Sequence, residues 1–262
     1  MLKKICPLCL LFLLYIACAS GPAASAEATA PFFSSAPAAN GLVFIGAAGK
    51  RSDPQETLQF ALYDAAQRVA LYTKVSGEYA VENNIGSGAF DYTGNTYTSL
   101  SYDEEGAKQY VAALQFNADT DTLEIEHTFI VRTTCPLALS VPVNYRPVYS
   151  KAGQKPDWVD NPPLKIEGYE VGVGYSGRYS SLVDTLTHSC HNAIFSIIRN
   201  INTTSRSSNM LYQDTGSLFG YKTSSNNVTY SYGTLTGYYV LDTWIDPQTK
   251  SVWTLAIARK TE

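Results

Sequence analysis

The chain is short of the residues that most often carry chemistry. Its 262 residues include three histidines, five cysteines and three tryptophans, and only 16% are Asp, Glu, Lys or Arg. No Gly-x-Ser-x-Gly elbow precedes His127, His188 or His191, so a Ser/His/Asp nucleophile system has no local signature. There is no clustered basic footprint. The net charge of −4 becomes about −6 once Lys3 and Lys4 leave with a leader, and a mildly acidic, Tyr/Ser/Thr-rich surface argues against nucleic acid. The apolar stretch over residues 5–17 falls short of the ~20 residues that cross a bilayer. Cysteine is scarcer than its count suggests. Cys6 and Cys9 spell Cys-x-x-Cys inside the leader and are lost with it, which removes the zinc or redox reading of that pair. Cys18, Cys135 and Cys190 remain, and the last two are either a disulfide or two buried thiols.

The N-terminus is a processing signal: Lys3 and Lys4 form a basic start and an apolar core follows. Tyr15-Ile16-Ala17-Cys18 resembles a lipobox, the bacterial signal ending in a cysteine that is acylated, whereas Ala24-Ser25-Ala26 fits an ordinary signal peptidase. The Ala17-Cys18 junction closes the apolar core, and an Ala/Ser/Pro-rich stretch to Asn40 follows as a spacer, which favours lipidation at Cys18. The expected organisation is a signal peptide over 1–17, a flexible tether over 18–40, a first unit over 41–134, a Pro-rich linker over 135–163 and a second unit over 164–262.

Two units are expected because the mature chain reads as one unit written twice. Gly46-Ala47-Ala48-Gly49-Lys50-Arg51-Ser52 matches Gly174-Tyr175-Ser176-Gly177-Arg178-Tyr179-Ser180 at an offset of 128 residues. The register continues through Thr57/Thr185, Leu58/Leu186, Ala65/Ala193 and Val69/Ile197. In the first unit, residues 42–45 read as a strand. Asp53-Pro54-Gln55-Glu56 then reads as a helix start, with Asp as N-cap, Pro at the first helical position and Glu closing a capping box. Leu58, Ala61, Leu62, Ala65, Val69 and Tyr72 follow at helical spacing. The second unit repeats this with Ser181 and Asp184 as the cap pair and a stripe through Leu182, Leu186, Cys190, Ala193, Ile194, Ile197 and Ile201. The Gly/Asn/Ser/Thr/Tyr-rich stretches 76–106 and 202–233 read as one or two irregular strands with long turns. Each unit then closes with a hairpin, 110–117 with 122–132 and 236–245 with 250–259. Residues 252–258 are apolar on both faces and predict a strand covered on both sides. The fold class is α+β, in two tandem strand-helix-antiparallel-sheet repeats with the helix on the sheet.

Each chemical motif meets a plainer reading. Gly172-Val173-Gly174-Tyr175-Ser176-Gly177 fits a dinucleotide fingerprint, but Phe44 replaces its first glycine in the other unit. A hairpin follows the helix where a parallel strand is required, so the glycines read as a tight turn with close helix packing. His188 and His191 flank Cys190 on one helix, yet Phe60 and Tyr63 stand in their places in the first unit. Glu124 and Glu126 alternate with apolar residues as a solvent face does. No catalytic residue, metal or cofactor is expected. Trp158 stands in a linker otherwise small and polar. It is expected to dock onto a domain edge, ahead of a role with Tyr169 and Tyr175 in ligand or partner contacts. The Tyr-rich loops with Tyr92, Tyr97, Tyr102, Tyr230 and Tyr232 read equally as an adhesive, partner-binding surface or as exposed strand residues of a secreted β-rich protein.

Pro156-Asp157-Trp158-Val159, Gly168-Tyr169-Glu170-Val171-Gly172-Val173-Gly174 and the closing segments 240–246 and 253–259 resemble the Lpp-twenty family of bacterial membrane-associated lipoproteins, related to flagellar outer-membrane lipoproteins. The resemblance covers residues 150–260, with 41–132 as a more diverged copy, and rests on scaffold positions. It implies an α+β domain without catalytic residues, held at the outer membrane by a lipid anchor, with an envelope or flagellar protein as partner. The alternative expectation is a periplasmic module that binds a small ligand, peptidoglycan or another glycan.

Overall fold

The computed structural model describes residues 32–34, 41–85, 92–137, 145–149, 154–213 and 221–260, of which 84–85, 92–94, 203–213, 221–227 and 260 are described by backbone alone. Cys18 lies outside them, as do residues 1–31.

The first strand, β1 (Leu42–Gly49), runs into helix α1 (Pro54–Thr73). Asp53 caps α1 by accepting from the Gln55 amide, and Pro54 fills the first turn where no intrahelical donor is needed. Glu56 does not close the expected capping box; it pairs with Arg51 at 3.1 Å. After α1 come β2 (Val75–Ile85) and β3 (Tyr92–Tyr102), a short helix α2 (Glu104–Tyr110) with a 3-10 turn, and then β4 (Thr122–Ile125) and β5 (Thr128–Cys135). A helical turn α3 (Asp157–Asp160) and β6 (Lys165–Ile166) precede β7 (Tyr169–Ser176) and helix α4 (Leu182–Ile201). The chain closes with β8 (Thr203–Gln213), β9 (Tyr221–Ile245) and β10 (Val252–Lys260).

The fold is mixed α+β with two antiparallel sheets. The small sheet has the order β1-β5-β4 and the large one β3-β2-β9-β10-β7-β6, with β8 also on β9. Strands from the first half of the chain therefore belong to both sheets, because β2 pairs along β9 from Val75↔Leu235 to Ile85↔Ser225.

Two expectations about strands need correction. The stretches after the helices are not irregular: β2/β3 and β8/β9 form long regular hairpins, each with eleven paired positions. Their Thr, Tyr and Val content suits a pleated backbone, and ladder pairing outweighs the scattered Gly and Asn. The hairpin expected to pair 110–117 with 122–132 is instead β4/β5, turned at Glu126-His127, with Glu126 at φ 55°. Residues 111–113 wind into the 3-10 turn, leaving Gln115 a single bridge to Thr134. The alternation read through 122–132 is broken by that turn, and Ile130 and Val131 are both buried.

Strand β10 is covered on both faces. Ala256 and Ala258 pack with Ile194, Ile197 and Ile198 of α4, while Leu255 and Ile257 join a second cluster with Leu42, Phe44, Val69, Trp158, Tyr169 and Tyr239. Phe33, in the segment before β1, is 2% exposed and packs with Ala47, Ile130, Leu182, Leu186 and Val252, bridging the two halves. Among the described residues, no helix is long and apolar enough to cross a membrane.

Candidate binding surface

The antiparallel order β3-β2-β9-β8 makes a four-stranded ribbon that continues beyond the helices. One of its faces is fixed by α4. Gly77 sits so close to that helix that a Cβ there would lie 2.7 Å from Ile198 Cδ1, and the Tyr79 ring meets Phe195 at 6.1 Å. Arg199 places its guanidinium 4.7 Å from the Tyr79 ring centre on the same side. Side chains alternate along a strand, so Glu78 and Ala80 belong to the opposite, open face.

That open face gathers three tyrosines. Tyr230 of β9 and Tyr97 of β3 lie in one row on either side of Ala80, and Tyr232 lies one step along, opposite Glu78. Tyr97, Tyr230 and Tyr232 are 57%, 38% and 56% exposed, and the last two rings are 5.8 Å apart. Ala80 leaves room between the rings, and Glu78 hydrogen-bonds Tyr230. Large amphipathic rings on a rigid sheet lose little conformational entropy when they make contacts, which is why tyrosine is enriched at binding surfaces. The sequence supplied these residues and left open whether they stand on loops or on exposed strands; they stand on strands. The strand register, which unites positions 97 and 230, is what makes them a surface. Tyr102 is half-buried against the α4 cluster and does not join them.

Of the three aromatic residues considered for ligand or partner contacts, Trp158 and Tyr169 share one buried core cluster and Tyr175 lies outside it. Trp158 is 2% exposed, held in the core, and its Nε1 donates to Asp242 Oδ2 at 2.8 Å. Tyr169 is buried with the Arg259 guanidinium 4.4 Å from its ring centre. Tyr175 is exposed at the far end of β7 and leans on Trp253 at 4.6 Å.

Asp242 is the most enclosed carboxyl of the described chain. Its Oδ2 accepts from both Trp158 and the Tyr149 hydroxyl, while Oδ1 has no partner among the described residues. Burial raises its pKa from 3.8 to about 6, against the opposing pull of the Tyr149 and Trp158 hydrogen bonds.

A second polar cluster joins the helices. Arg68 of α1 pairs with Asp64 at 3.2 Å and donates to Cys190 Sγ of α4 at 2.7 Å, while Asp64 also accepts the Ala47 amide at 2.8 Å. His191 is pushed down to about 4 by burial and then by the Arg68 charge, so it is neutral at pH 7. His188 points away to stack on Tyr179 at 4.3 Å. Among the described residues no three metal-ligating side chains come together. Cys135 and Cys190 are both buried free thiols.

A partly enclosed cavity of about 30 Å³ lies between the halves, lined by Phe33, Val43, Leu186, Cys190, Tyr238 and Tyr239. Trp158 does not line it. An open cleft of about 260 Å³ lies where the two strand-to-helix turns meet, between Lys50, His127, Arg178, Thr185 and Lys250. In it Lys50 is neutralised by Glu124 at 2.7 Å.

The Gly172–Gly177 motif resolves as packing. A Cβ on Gly172 would lie 2.3 Å from the Ala193 carbonyl oxygen and one on Gly174 1.9 Å from that of Ser189, both on α4. The strand after α4 is β8, antiparallel to β9, so the parallel strand of a dinucleotide fold does not follow. Comparison with protein-family models, with curated proteins and with solved structures finds no match to this chain.

Proposed function

We propose that this chain is a duplicated α+β scaffold that acts by binding, anchored through an acylated Cys18 to a bacterial envelope membrane. Its contact surface is the tyrosine face of the ribbon. The observation that carries the binding role is the exposed set Tyr97, Tyr230 and Tyr232 on a rigid sheet.

The duplication is supported by two matched details at an offset of 128 residues and by a shared strand order. A Cβ on Gly46 would strike the Ala61 carbonyl oxygen at 1.9 Å, as one on Gly174 would strike that of Ser189. The Thr57 hydroxyl accepts the Arg51 amide and donates to the Asp53 carbonyl, as Thr185 does with Tyr179 and Ser181. Strand order agrees too, since β1-β5-β4 corresponds to β7-β10-β9. What the copies share is backbone packing and capping, whereas His188 and His191 occur in one copy only. That pattern supports a copied scaffold over a copied active site.

The resemblance to Lpp-twenty lipoproteins points to an envelope or flagellar protein partner, with no nucleic acid. Exposed rings around a small residue also suit the alternative, a peptidoglycan or glycan ligand. In cells grown with a labelled fatty acid, the label is expected on Cys18 and processing is expected to be blocked by globomycin. A mature N-terminus at Glu27 would remove the anchor. The Y97S/Y230S/Y232S variant is expected to lose binding to envelope protein, or to muropeptides, by at least about tenfold with little change in Tm, because these rings contribute contact and not core. Retained binding would remove the tyrosine face from the proposal.

A further inference from the structure

We propose that this chain assembles with copies of itself head to tail, β8 of one molecule pairing with β3 of the next. The inference rests on the duplication proposed above. The two hairpins are equivalent: Val75↔Tyr102 in β2/β3 corresponds to Thr203↔Ser231 in β8/β9, at offsets of 128 and 129 residues. Within one molecule they are already joined edge to edge, the first strand of one hairpin (β2) against the second strand of the other (β9). This is a heterologous joint between copies of one unit, and such a joint does not use itself up. Among the described residues it leaves a first strand, β8, without a further strand at one end and a second strand, β3, without one at the other.

Those two edges are the two halves of the same joint. Among the described residues β3 pairs only with β2, and β8 only with β9. The ribbon has four antiparallel strands, so β3 and β8 run in opposite directions, and a β3-to-β8 contact continues the antiparallel pattern. Neither edge carries the usual protection against pairing: residues 92–102 contain no charged residue and no proline, and residues 203–213 contain one arginine and no proline. The internal joint also fixes the register. Its Glu82↔Val228 pair maps onto Met210 of one molecule opposite Ser99 of the next. Heterologous joints close into a ring where the rotation allows and otherwise extend as a filament, so the occupant of each edge is a second copy of this chain.

The test is oxidative cross-linking of the full-length chain in its native membranes, with cysteines placed by S99C and M210C. The double variant is expected to give a ladder of dimer, trimer and higher species on a non-reducing gel, while each single variant stays at the background of the unsubstituted chain. A dimer from S99C or M210C alone would show like-to-like pairing and overturn the proposal, as would a monomer in the double variant. An unchanged Tm for each variant guards against misfolding. The duplication is tested separately, by the matched glycine variants discussed below, so failure of the assembly and failure of the repeat are distinguishable.

Discussion

Gly46→Ala and Gly174→Ala are expected to destabilise the protein by similar and large amounts, about 3 kcal/mol or more each, because a methyl at either position meets a helix carbonyl at 1.9 Å. The obstacle is backbone in both cases, so no side-chain rotation relieves it. Helix α1 must lift from β1, or α4 from β7, and the cores beneath lose contact. Gly49, with nothing near the place a Cβ would take, is the control within the same strand-to-helix turn and is expected to change stability by less than about 1 kcal/mol on substitution by alanine. Thermal or urea unfolding reads all three. Equal losses at positions 46 and 174 are what a duplicated packing device requires. A tolerant Gly46 beside an intolerant Gly174 would count against the duplication.

The second large effect lies at Trp158. Replacement by alanine is expected to cost about 3–5 kcal/mol, since it empties a buried site in the main core and strips a hydrogen bond from Asp242. Trp158→Phe keeps most of the volume and loses the N–H, and about 1–3 kcal/mol is expected. The pair also sets a pH dependence. Asp242 has a pKa near 6 when folded against 3.8 ordinarily, so between these values the folded state holds a proton that the unfolded state has released. Stability therefore falls as pH rises through that window, and the loss is complete above about pH 6. Asp242→Asn is expected to flatten this slope. Trp158→Phe removes a hydrogen bond that favours the carboxylate, so it is expected to extend the slope to higher pH. Urea unfolding between pH 4 and 8 distinguishes these outcomes.

Local chemistry was legible in the sequence and long-range pairing was not. Asp53 and Ser181 announced the helix starts because a cap needs only its own first turn. The double-sided apolar run in β10 announced a covered strand, because burial on both faces leaves no room for alternation. The long hairpins were hidden, since Ser, Thr, Asn and Gly do not mark strands by hydrophobic period. Their order comes from ladder bonds to β9, which no local window contains. For the same reason the tyrosine surface could be listed but not assembled: residues 97 and 230 meet only through the register about Ala80. Trp158 was conspicuous as a lone aromatic residue, yet its partner Asp242 lies 84 positions away and nothing in the linker names it.

Binding through the ribbon is tested most directly by placing a photo-cross-linking residue at position 232, on the open face, and irradiating intact cells. A cross-link to an envelope component other than this chain is expected from position 232 and not from Gln59, which is exposed on α1. No cross-link from position 232, or equal capture from both positions, would contradict a binding surface on the tyrosine face.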